Sequence, residues 1–204
     1  MTSTTRTARR VALQAAVGLA LLGTLTACSA SAASEPSAAA EAATVEDAST
    51  VAQLPALDGV VTGVPEGWTP GTLGALSYAA PAGWSDLGLP SPTGWEYRTY
   101  VDPAAPASRV LEVSVLQGES TWGGGWQGME GEQGYRLDVP GAALAGLDIS
   151  EVVVDEGGVA TTTWHAELHL QTEGGQYVLV ELATTPDDAG LTEIRALVGT
   201  LALA

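Results

Sequence analysis

Three runs rich in apolar and β-branched residues, "DISEVVV" (148–154), "VATTTWHAELHLQ" (159–171) and "QYVLVELATT" (176–185), are parted by two short breaks, Asp155-Glu156-Gly157-Gly158 and Thr172-Glu173-Gly174-Gly175. A glycine pair accepts the positive φ of a tight turn, so the runs read as strands joined by hairpins. In the middle run Trp164, Ala166, Leu168 and Leu170 alternate with His165, Glu167 and His169. Strand side chains alternate between faces, so this predicts one core face and one wet polar face. After the third run, Thr185 can cap a helix, Pro186 suits its first position, and Asp187 and Asp188 favour its N-terminus. Leu191, Ile194, Leu197 and Val198 share one helical face, and Gly199 can end it, leaving "TLAL" as a short last strand. Upstream, "ALSYAA" (75–80), "WEYRTYV" (95–101) and "SRVLEVSVL" (108–116) are strand-like, and "YRLDV" (135–139) is a weaker strand. The fold class expected is α+β: an antiparallel sheet of about six to seven strands, few covering helices, and a C-terminal helix followed by a short strand.

Cys28 is the single cysteine of the 204 residues, so the domain has no disulfide and must stand on its own core. What precedes it reads as an address. Arg6, Arg9 and Arg10 open the chain without an acid, and "VALQAAVGLALLGTL" (11–25) follows without a charge. Fifteen uncharged residues, interrupted by Gln14, are too few for a comfortable membrane span, which needs roughly 20. A basic start, a short apolar run and small residues before a break make a secretory signal. The break, Leu25-Thr26-Ala27-Cys28, resembles the lipobox of bacterial lipoproteins at every position. The resemblance implies a signal peptide over 1–27 and a diacylglycerol on the thiol of Cys28, which becomes the new N-terminus at the outer face of the cytoplasmic membrane. Arg9-Arg10 also partly resembles a twin-arginine export signal.

Charge narrows the partners. All 24 acidic residues follow Cys28, against four arginines and no lysine, a formal charge of −20 for the mature chain. Nucleic-acid binding needs a basic footprint, which is missing. Residues 28–66 are small, proline-bearing and acidic, a composition that buries too little apolar surface to order itself. They read as a flexible tether of about 38 residues with an end-to-end distance of roughly 35 Å. A single domain over 67–204 remains, large enough for a real core and expected to be monomeric.

Within that domain, "ALSYAAPAGWSDLG", "YRLDVPGAALAG", "GQYVLVELATT" and "EIRALVGTLAL" follow the layout of actinobacterial lipoproteins with the PsbP/Mog1-like fold. The resemblance implies an antiparallel sheet between helices, and action through binding or assembly rather than catalysis. Family members place a helix after about the third strand. Here stands "GESTWGGGWQGMEGEQG" (118–134), whose seven glycines disfavour one.

Candidate sites are few. Trp122 and Trp126, with Met129, sit in that glycine-rich stretch, and large side chains on a loop suit contact with a partner or ligand. Three Pro-x-Gly-Trp tetrads, ending at Trp68, Trp84 and Trp95, read as turns whose indoles pack the sheet ends or form an aromatic shelf for sugars. His165, Glu167 and His169 share a strand face. The two histidines stand roughly 13 Å apart along an extended strand, too far for one ion, so the face reads as solvated and no metal is assigned. "HAELH" lacks the H-E-x-x-H spacing of zinc proteases. Ser120 lacks the second glycine of G-x-S-x-G. No catalytic residue and no cofactor is therefore assigned. The expected function is a lipid-anchored, non-catalytic interaction or assembly module of the envelope. The alternatives are a module binding wall carbohydrate or a small ligand through exposed tryptophans, and an envelope hydrolase.

Overall fold

The computed structural model describes residues 50–117, 134–156 and 158–204. Among the described residues, after a helical turn at 50–53, ten strands and a longer helix follow one another: β1 (Thr69–Leu73), β2 (Leu76–Ala80), β3 (Ser85–Asp86), β4 (Trp95–Val101), β5 (Val110–Leu116), β6 (Gly134–Arg136), β7 (Ala142–Glu156), β8 (Val159–Thr172), β9 (Tyr177–Thr184), α1 (Asp188–Val198) and β10 (Ala202–Leu203). Seven strands form an antiparallel sheet in the order β3-β4-β5-β9-β8-β7-β6, and β1-β2-β10 form a second, smaller sheet. This is the α+β architecture expected from the strand runs.

Both hairpins close at the glycine pairs. Glu156 pairs with Val159, and Gly158 carries a φ of 90° while its N–H donates to Asp155 Oδ1. The second turn holds Gly175 at φ 82°, with its N–H on the carbonyl of Thr172. β7 is far longer than the run that announced it. It begins at Ala142 and absorbs the Ala/Gly stretch 142–147, which pairs with β8 apart from a bulge between Ala142 and Leu144. β1 was not legible at all, because Thr-Pro-Gly-Thr-Leu reads as a turn. As an edge strand it tolerates Pro70. Gly71 is required there by packing: a Cβ would lie 2.7 Å from the ring of Tyr78 on β2.

One face of the large sheet carries Leu111, Val113 and Val115 of β5, Val178, Val180 and Leu182 of β9, and Ala166, Leu168 and Leu170 of β8, all fully buried. They pack with Leu76 and Tyr78 of the small sheet and with Ile194 and Leu197 of α1 as one core. Each fully buried Val, Leu or Ile among them contributes about 1.5–3 kcal/mol. The helix cap differs from the expectation. Asp187, not Thr185, is the N-cap; its side chain accepts from the N–H of Gly190 at 2.9 Å, and Thr185 supports it with its own hydroxyl. Arg109 ties α1 to the sheet, bonding Asp102 at 3.0 Å and Glu193 at 2.8 Å above the ring of Trp84.

The tether boundary moves. Residues 50–66, assigned by composition to a flexible coil, lie on the domain. Residues 50–53 are helical, and Val51, 1% exposed, packs with Leu54 and Leu144. Pro55 and Leu57 exchange backbone hydrogen bonds with Arg136, so the segment runs parallel to β6 and covers that sheet edge. Further on, Asp58 accepts from Arg195 Nε at 2.8 Å and Gly63 N donates to Gly199 at 2.8 Å. Composition missed this because the strap contributes few apolar side chains; its backbone bonds to groups brought there by the fold.

Candidate functional site

The core face is covered by the small sheet and α1; the opposite face of the large sheet is polar. Register decides its character. Thr99 of β4 stands opposite Glu112 of β5, Glu112 opposite Glu181 of β9, Glu181 opposite Glu167 of β8, and Glu167 opposite Asp148 of β7. Four carboxylates thus cross four adjacent strands in one row, spaced by roughly 4.8 Å. Like charges placed directly opposite repel, so a row of this kind needs positive charge or protons.

His165 supplies the first. It lies diagonally between two members of the row, with Nδ1 3.3 Å from Glu167 Oε1 and Nε2 3.5 Å from Glu181 Oε1. His169 reaches the other oxygen of Glu167, Nε2 to Oε2, at 3.4 Å. The histidines are therefore joined through Glu167, although the extended strand separates them. His169 is 5% exposed, and its Nδ1 is hydrogen-bonded to the hydroxyl of buried Tyr177. Trp95 meets Tyr177 edge-on at 6.4 Å. This corrects the reading of a solvated face: His165 and Glu167 are half-buried, and His169 is buried with a polar partner.

Protonation follows the environment. Burial pulls the pKa of His165 down, but hydrogen bonds from the imidazole to Glu167 and Glu181 outweigh it and hold the group up at about 9. Glu167 is held below the usual carboxylate range by hydrogen bonds from His165 and His169. At the flanks, burial pushes the carboxyls of Glu112 and Asp148 up. Tyr97 is raised to about 12, by burial and by its hydrogen bond to Glu112.

A pH dependence follows. A raised histidine contributes stability fully below its unfolded value of about 6.5, and that contribution is lost as pH rises through about 9. About 2–3 kcal/mol is expected to disappear between pH 6.5 and 9.5. Urea unfolding in chelator-containing buffer measures it; His165→Asn should flatten the slope in that window. Equal slopes in both proteins would show that the row, not His165, titrates there.

The tetrads ending at Trp68, Trp84 and Trp95 form three like turns, each with the Trp N–H on the Pro carbonyl and the glycine at φ 77–83°. Trp68 and Trp84 pack on the core side, whereas Trp95 meets Tyr177 on the polar face, so they make no common shelf. Cys28, Trp122, Trp126 and Met129 lie outside the described residues, as does Ser120. Glu181, Glu112 and Asp148 were missed in the sequence; nothing local marks three acids on three strands as neighbours.

The chain is similar over part of its length to a protein from Bacteroides thetaiotaomicron VPI-5482, known from a crystal structure at 1.50 Å resolution, with a TM-score of 0.37 and 14% identity. The match covers 64% of this chain and 45% of that one, so the chain matches less than half the length of that protein. No family model and no curated protein matches the sequence.

Proposed function

We propose that the chain is a lipid-anchored, extracytoplasmic module of the cell envelope that binds a protein partner and performs no catalysis itself. The lipobox at Leu25–Cys28 supports the anchor. No helix among the described residues is long and apolar enough to cross a membrane. One observation carries the binding role: the β7–β8 hairpin outruns the sheet. β9 stops pairing at Trp164, yet β7 and β8 continue for five more pairs, from Val152↔Thr163 to Glu156↔Val159. Among the described residues no further strand pairs with this ribbon, which exposes Val153 at 66% on one face and Val159 at 65%, with Val152, on the other. Apolar side chains on a projecting arm offer a partner both a hydrophobic contact and an unpaired strand edge. Two clefts among the described residues, of about 280 and 220 Å³, lie instead along the strap, over Arg136–Val139, and are seams between the strap and the sheet.

The test is a pulldown of the lipidated protein from its own membranes. Val153→Ser with Val159→Ser should leave the melting temperature within a few degrees and remove the co-purifying protein. Retention of that protein at wild-type levels would exclude the ribbon as the contact.

A further inference from the structure

The centre of the acid row is built like a metal site. We propose that His165, Glu167 and Glu181 bind one divalent transition-metal ion, zinc or manganese by chemistry, with His169 and Tyr177 orienting Glu167 from behind. The site is far from the ribbon tip along β8 and goes beyond the binding role proposed there.

Three observations converge. One donor atom from each of the three residues lies within 4.8 Å of the other two. Bonds of 2.0–2.2 Å bring the ligands of a tetrahedral ion to roughly 3.4 Å from one another, so modest side-chain rotation completes the set. No backbone movement is needed, because Glu167 and Glu181 stand directly opposite on adjacent paired strands. Secondly, the site has a supporting layer. The second oxygen of Glu167 faces His169 Nε2 at 3.4 Å, and the other nitrogen of His169 is bonded to Tyr177. Buried partners of this type hold a ligating carboxylate in one orientation and strengthen binding. Thirdly, solvent reaches the three ligands but not their supports. The side chains of His165, Glu181 and Glu167 are 27%, 26% and 40% exposed, whereas His169 and Tyr177, next to them on the same face, are buried.

The donor set selects the class of ion. An imidazole with two carboxylates suits zinc, manganese or ferrous iron better than calcium, which takes six to eight oxygens. Bound to one imidazole nitrogen, the ion displaces one of the two N–H protons by which His165 faces Glu167 and Glu181, so the row keeps its positive charge and gains one more. Glu112 and Asp148, the flanking members, add attraction without ligating. A position facing solvent remains for water or a partner's side chain.

The experiment uses the full-length protein in detergent, without a histidine tag, stripped with chelator and titrated calorimetrically with zinc sulfate and with manganese chloride. One ion per chain is expected. Glu181→Gln and His165→Asn should each weaken binding at least tenfold, and His169→Asn by about tenfold, as for residues that support a metal ligand. Glu112→Gln, in the same row but outside the set, should change it less than about twofold. X-ray absorption of the zinc-loaded wild type should show one imidazole with oxygen ligands, which does not depend on any variant folding. No saturable binding at one ion per chain, sulfur or imidazole-free coordination, or equal losses for Glu112→Gln and Glu181→Gln would each overturn the site.

Discussion

Gly141→Ala is expected to remove a large part of the domain's stability and lower its melting temperature far more than any loop substitution. The backbone there turns from Val139 into β7 with φ at 78°, a region that costs an L side chain about 1–2 kcal/mol. The larger cost is steric. A Cβ at 141 would lie 1.9 Å from the carbonyl oxygen of Leu203 and 2.7 Å from its carbon, and backbone cannot swing aside as a side chain can. Leu203 N donates to Pro140 at 2.8 Å, and Ala204 N to Ala75 at 3.0 Å. Relieving the clash therefore strips β10 from the small sheet and uncovers Leu203 and its neighbours. Together these losses reach about 4–5 kcal/mol, a large part of the 5–15 kcal/mol that holds an ordinary domain. Gly83→Ala is the control, because Gly83 has φ 77° but no atom within 4 Å of the added carbon. It should lose only the conformational term. Melts of the two variants side by side decide; transitions within a few degrees of each other would refute the steric account.

Cys28→Ser is expected to release the protein from membranes entirely and leave the domain's melting temperature unchanged. A thiolate is the side chain that accepts a lipid at mild pH; a serine hydroxyl is not. Two acyl chains anchor stably, at about 0.8 kcal/mol per buried CH₂. Fractionation after a high-salt wash measures the release. A serine variant that is still processed and still pellets with membranes would disprove lipid attachment.

The strands that could be read ahead were those whose signals are local. Gly174-Gly175 at the second break and the Trp164–Leu170 alternation lie within a few residues of the structures they dictate. The same holds for the apolar stripe Ile194, Leu197 and Val198, all buried on α1. Failures came where a distant segment chooses the outcome. Thr69–Leu73 becomes a strand because β2 pairs with it, and 142–147 because β8 runs alongside. Thr185 looked the better cap until the path from β9 set Asp187 at the helix entrance.

For the site the division is sharper. His165, Glu167 and His169 could be placed on one face from alternation alone, since the period of two is a property of a single strand. Their chemistry could not. Whether His165 stands beside a carboxylate depends on which strand neighbours β8 and in what register, and a shift of one residue would send Glu181 to the core face. By itself, the sequence determined the hairpins, the terminal helix and the strong negative charge. The tertiary structure alone decided that Glu112, Glu181, Glu167 and Asp148 meet in a row, that His169 is buried against Tyr177, and that 50–66 straps the sheet edge. The physical reason is that turns and alternation are written in neighbouring residues, whereas register and strand order come from burying one shared core.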